Sequence, residues 1–428
     1  MHKAALALIF YLLVVSTPVA QESAKRSLGY YYSQGMAAYQ KKDHQAFLEN
    51  FKKAHEVAPG HLEVMYLLAR AHALAGNKSE SFIFLNKIVD LGIFMDLLDN
   101  ADFASIKATA EFDALRKRVA QAMVPTSNSK AGFMIPGKDL IPEGIAYDPA
   151  TETFYVGSIY KRKVVSRSKD GKVRDFTSER QDGLWGVLGM RVDDKRRVLW
   201  VNSAAGAEEK ELNGYSGVFK YDLKTGKLIK KYILDNKPRA HLLNDLAINR
   251  RGDVFITDSL SGAVYMVSQA KDELETFVEP GQFIYPNGIT LSNDERSLFV
   301  ADWSKGISVV DLGARRVAPL PHSQSVTLSG IDGLYLYQNS LIAVQNGPKP
   351  ERVVQYFLND KQDRVESAAV LESNNPLFAI PTTGVLVGDK FYFIANSYVD
   401  MFRDGVLASD ASLRPPQILN VSLKSSPR

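Results

Sequence analysis

Between residues 131 and 407, apolar and polar positions alternate in short runs separated by polar turns such as Lys169-Asp170-Gly171-Lys172 and Lys224-Thr225-Gly226-Lys227. A period of two marks half-buried strands. Six runs open alike: Glu143-Gly144-Ile145, Leu188-Gly189-Met190, Asn244-Asp245-Leu246, Asn287-Gly288-Ile289, Asp332-Gly333-Leu334 and Thr383-Gly384-Val385. Start to start, they lie 45, 56, 43, 45 and 51 residues apart. A repeat of this period built from short strands predicts propeller blades, and six copies predict an all-β six-bladed β-propeller. Second strands follow at Thr153, Val198, Val254, Ser297, Ser340 and Phe391. The last blade has little after Ser397, so Ala131-Gly132-Phe133-Met134-Ile135 is expected to supply its outer strand and close the ring. The tail at 409–428, with Pro415-Pro416, reads as an irregular strap outside the 131–408 propeller.

Upstream the pattern changes. Across residues 22–124 apolar side chains recur every three or four positions, which predicts a small α-helical domain. Gly35 aligns with Ala69, Phe51 with Leu85 and Ala54 with Ile88 at a 34-residue offset, and Asp43 and Asn77 fall in the turns. Tyr31 to Pro59 and Glu63 to Leu91 therefore resemble two tetratricopeptide repeats, with 102–106 and 111–115 as capping helices. Such repeats form surfaces for a protein or peptide partner; the alternative is that this one only packs on the propeller. A polar segment, 125–130, links the two domains.

At the start of the chain, Lys3 precedes an apolar run from Ala4 to Val15 and then Ser16-Thr17-Pro18-Val19-Ala20. This run is too short to span a bilayer and reads as a signal peptide over 1–20, with no membrane span after its removal. Composition adds little except through cysteine, of which the 428 residues contain none. That excludes disulfides, thiolate nucleophiles and Cys-ligated zinc, and with the signal it points to a periplasmic or secreted protein. The net charge is +4, with no basic stripe, so no nucleic-acid partner is expected.

The candidate chemistry follows from the repeat. First strands line a propeller's axis, so Glu143, Leu188, Asn244, Asn287, Asp332 and Thr383 converge there. Two carboxylates and two amides at one point form a hard oxygen cage of charge −2, suited to a divalent cation. Ca²⁺ fits best, with Mg²⁺, Mn²⁺ or Zn²⁺ as alternatives. No Gly-x-Ser-x-Gly elbow occurs and the propeller holds only His241 and His322, which disfavours a serine triad.

Pro142-Glu143-Gly144, Leu243-Asn244-Asp245, Pro286-Asn287-Gly288 and Ile331-Asp332-Gly333 resemble the four metal-site motifs of the regucalcin/gluconolactonase family of six-bladed lactonases. The resemblance implies one axial metal on Glu143, Asn244, Asn287 and Asp332, hydrolysis of a small-molecule ester or lactone, and Asp332 as catalytic base. It departs at Leu242, where gluconolactonase-like members often carry a sugar-binding Arg; Arg239 and His241 are the candidates for that space. Second strands return to the same face, so Asp258, Asp302 and Trp303, with Trp185, are expected at the pocket mouth. The competing reading is a non-catalytic binding or scaffold protein of the cell envelope with a structural ion.

Overall fold

A computed structural model describes residues 28–94, 99–403, 405–408 and 413–425. The expected signal peptide lies outside the described residues. Among the described residues, no helix is long and apolar enough to cross a membrane.

Five helices come first: Leu28–Gln40 (α1), His44–Val57 (α2), Leu62–Leu74 (α3), Lys78–Asp90 (α4) and Ala110–Ala122 (α5). Each packs on the next, and their apolar stripes form one core around Phe47, Phe51, Leu68, Leu85 and Phe112. Gly35 lets α1 press against α2, because a Cβ there would sit 2.5 Å from the Phe51 ring. Asp43 caps α2, accepting from Ala46 N at 3.0 Å, and His61 caps α3 through Val64 N at 3.3 Å. The segment expected as a helix at 102–106 contains only a 3₁₀ turn, Ala101–Phe103.

Six antiparallel sheets follow, one per predicted blade, five of four strands and one, blade five, of five. Their innermost strands are Pro142–Asp148, Gly186–Asp193, Leu243–Ile248, Pro286–Leu291, Ile331–Tyr337 and Gly384–Val387. Apolar side chains between neighbouring sheets give one small core per blade interface, such as Val187, Met190, Leu199 and Phe219 between blades one and two.

Blade six closes the ring as expected on one count and differently on another. Lys130–Met134 is its outer strand, paired with Gln417–Ser422. Gln417–Ser422 in turn pairs with Lys390–Ile394, so the tail is the third strand of the blade and no irregular strap. The Pro pair masks this in the sequence, since Pro416 ends immediately before the strand and an apolar run of only Ile418-Leu419-Asn420-Val421 follows. The polar linker is also tied down. Thr126 and Ser127 pair with Ser373 and Glu372 at the edge of blade five, and the Glu372 carboxylate accepts from Asn128 N and Ser129 N at 2.9 and 2.8 Å.

Candidate metal and active site

In blades one to five the pairing of the first two strands slips at the same place: Pro142/Ile145, Val187/Met190, Leu243/Leu246, Pro286/Ile289 and Ile331/Leu334. A bulge there re-aims the residues within it. Those residues include Glu143, Asn244, Asn287 and Asp332. The glycine that follows the ring residue in five of the six blades allows close approach to a neighbouring strand. A Cβ on Gly189 would lie 2.4 Å from Asn244 O, and one on Gly288 2.5 Å from Asp332 O. Thr383 completes the circle by donating to Glu143 O at 2.5 Å.

The four expected ligands are all buried, between 4 and 7% exposed. Asp332 accepts at Oδ2 from Asn346 Nδ2 at 2.6 Å and also from the Asn287 side chain. Asn244 Nδ2 donates to Ser259 Oγ at 3.0 Å, and Ser259 donates to Pro286 O at 2.6 Å. These bonds use the donors of the amides and leave acceptors over: Glu143 Oε2, Asn244 Oδ1 and Asn287 Oδ1 are buried with no hydrogen-bond partner. Three orphaned acceptors among four converging oxygen groups have the chemistry of a cage for a hard cation. Asn346 Oδ1, also unpartnered, is a fifth oxygen beside Asp332.

The electrostatics have the same sign. Burial, the neighbouring Asp332 and then Asp245 raise Glu143 well above the ordinary carboxyl range, with Arg191 opposing. Burial pushes Asp332 up to about 6, against the bonds from Asn346 and Asn287. Both shifts express buried negative charge that a divalent cation offsets.

A second layer lies deeper on the axis. Arg191 reaches Asp245 at 3.1 Å and stands 4.8 Å from the centre of the Tyr335 ring. Tyr335 Oη accepts from Gly384 N at 2.8 Å, which ties the layer to blade six. Burial opposes the charge on Arg191, but Asp245 and Tyr335 hold its pKa above the ordinary value. This floor was not recognised from sequence, although Asp245 is the one residue after a ring position that is not Gly. Tyr285 was missed too. Burial, then Asp332 and Glu143, push its phenol up to about 12, so it stays protonated above the ring and hydrogen-bonds Ser259.

The expected mouth residues divide. Asp302 is fully buried and accepts from Ile284 N, Ser304 N and Lys305 N at 2.6, 2.9 and 3.1 Å. Asp258 likewise caps Leu242 N at 2.9 Å, and its Oδ2 meets His241 Nδ1 at 2.5 Å. Burial would raise Asp258, but the His241 bond and the amides hold it below the ordinary range. Both aspartates are thus turn caps, with His241 the group that Asp258 presents. Trp303 is half-buried between Tyr285, whose carbonyl accepts from Trp303 N at 2.9 Å, and Gly347. Trp185 is half-buried against Tyr215 and Phe219, and Arg239 is exposed. Among the described residues, no group of three or more His, Cys, Asp or Glu forms a metal cluster, so a softer, histidine-based site has no counterpart there.

No protein-family model matches the chain. A lactonohydrolase of Aspergillus oryzae is 24% identical over 236 residues, which is 50% of this chain and 51% of that protein. The chain thus spans about half the length of the curated relative that it matches. Among solved structures, regucalcin from Agrobacterium tumefaciens, described as calcium-binding, aligns at 16% identity and a TM-score of 0.48, over 69% of this chain and 97% of that one. A gluconolactonase from Xanthomonas campestris aligns at 16% and 0.45, over 65% and 85%. A PQQ-bound aldose sugar dehydrogenase from Streptomyces coelicolor aligns at 11% and 0.47, over 70% and 99%. The chain is a six-bladed propeller with an N-terminal helical unit, and its structural neighbours include gluconolactonase and regucalcin propellers.

Proposed function

We propose that this protein is a divalent-metal-dependent hydrolase of lactone-type esters, with Ca²⁺ the favoured ion. The observation that carries the reading is the set of unpartnered oxygens on Glu143, Asn244 and Asn287 around the raised Asp332 carboxyl. The similarity to a protein named a lactonohydrolase supports the substrate class. Glu143, Asn244, Asn287 and Asp332 would hold the ion. Bound there, it would polarise the ester carbonyl and stabilise negative charge on its oxygen.

The residues supply the rest. Asn346 fixes one oxygen of Asp332 at 2.6 Å, which orients the carboxylate. Asp332 takes a proton from the attacking water as the water oxygen bonds to the carbonyl carbon. The ring C–O bond then breaks, the proton passes to the departing alkoxide oxygen, and an open hydroxy acid results. Tyr285, held protonated, hydrogen-bonds Ser259, which accepts from the Asn244 amide and so steadies that ligand. The Arg191–Asp245 ion pair and the Tyr335 ring beside it tie blades two, three and five together next to the ring residues. The apolar run before Ala20 and the lack of cysteine support work outside the cytoplasm.

One observation favours the non-catalytic alternative: Leu242 brings no polar side chain to the mouth, and its amide is tied to Asp258. Turnover decides. Chelated protein should cleave no member of a panel of small lactones, Ca²⁺ should restore cleavage, and Asp332→Ala should abolish it. Ion-dependent stabilisation without cleavage by wild type would assign the ion a structural role.

A further inference from the structure

The helical unit stands over one side of the mouth. Ile284, three residues before Asn287, packs into the helical core. Ser329, three residues before Asp332, donates to Gly60 O at 3.4 Å. Phe94 N donates to Lys349 O at 2.7 Å, and Arg352 donates to Leu91 O at 3.0 Å. Every one of these propeller residues lies at the mouth end of blades four and five, the blades that carry Asn287 and Asp332. His61 follows Gly60, whose carbonyl meets Ser329, and is half-buried there. The helices are therefore not a free arm at this face.

On the reading that the ring is a lactonase site, we propose that the helical unit is a fixed wall of the substrate mouth and that His61 sets the size of substituent admitted over Asn287 and Asp332. The wall also seats the loop that carries the reaction's neighbours. Ile284 is anchored in the helical core, Tyr285 follows it, and Trp303 lies between Tyr285 and Gly347, two residues before Lys349. A propeller without these helices would leave that half of the mouth open. The substrates implied are lactones with short ring substituents.

Two variants test this. His61→Asn keeps a capping side chain for α3 and removes the imidazole, so helix stability is retained. It should raise kcat/KM for a long-chain-substituted lactone about tenfold relative to the unsubstituted ring. Ile284→Asp should loosen the wall, read as faster acrylamide quenching of Trp303 in a Trp185→Phe background, where the other remaining tryptophan, Trp200, is buried away from the quencher, with far-UV circular dichroism unchanged. The second readout needs no turnover. If wild type cleaves no lactone, the hydrolase reading falls while quenching still decides the wall. Because the chain has no cysteine, a Gly60→Cys/Ser329→Cys pair gives a further measure that survives misfolding of Ile284→Asp. Locking that contact by oxidation should leave quenching and small-lactone turnover unchanged. An unchanged substrate ratio in His61→Asn, or loss of turnover on locking, would overturn the proposal.

Discussion

Replacing Asp332 by asparagine should stabilise the metal-free protein while destroying its metal site. Asp332 is buried, and burial pushes its carboxyl up to about 6. In the unfolded chain the same group titrates near 3.9, at roughly the model-peptide value. Between these values the native state holds a proton that the unfolded state has released. Metal-free stability attributable to this group is therefore highest at low pH and falls as pH rises through about 6. A shift of this size corresponds to about 3 kcal/mol once the group is fully ionised. Glu143, also raised, adds a term of the same sign. Asparagine has the same shape and keeps an oxygen for Asn346, so packing is retained and the titration is removed. The assay is urea unfolding with a chelator present, from pH 4 to pH 8. Wild type and Asp332→Asn should coincide near pH 4, and the variant should be more stable by up to about 3 kcal/mol at pH 8. Added Ca²⁺ should reverse the order, because only wild type gains binding energy. Parallel pH profiles, or a variant less stable at pH 8 without metal, would refute the account of a charge-loaded ring.

Two other substitutions probe the scaffold. Arg191→Leu leaves Asp245 buried without its cation and should cost about 3–5 kcal/mol in unfolding free energy; adding Asp245→Asn should recover much of it. Gly288→Ala places a methyl 2.5 Å from Asp332 O and from Leu334 N. It should cost at least about 1–3 kcal/mol and weaken Ca²⁺ binding in calorimetry, whereas a methyl on Gly388 touches nothing within 4 Å and should leave Ca²⁺ binding intact.

The blade count and the ring were legible because a strand repeat leaves one short polar start per blade. Glu143, Asn244, Asn287 and Asp332 stand in that start, and the glycine after three of them marks the close approach of backbones. The bulge common to five blades was hidden, since it is a property of pairing and not of either strand alone. The Arg191–Asp245 layer was hidden because an inward cation in an alternating strand looks like any polar position. Asp258 and Asp302 have a structural role that their position in the sequence does not reveal. Polar residues at strand ends were read as pocket groups, but the structure uses their carboxylates to satisfy turn amides. The third strand of blade six was missed for a simpler reason, because it follows a proline pair beyond the last clear repeat. Nor does helical periodicity say where a helical unit docks. Only the contacts of Gly60, Leu91 and Phe94 place it over the mouth.

The most direct measurement is an anomalous difference map from crystals of the full chain grown with Mn²⁺ and, separately, with Ca²⁺. The account requires one strong peak on the propeller axis, about 2.0–2.6 Å from oxygens of Glu143, Asn244, Asn287 and Asp332. A map with no peak at that point, or with the ion held elsewhere, would contradict it.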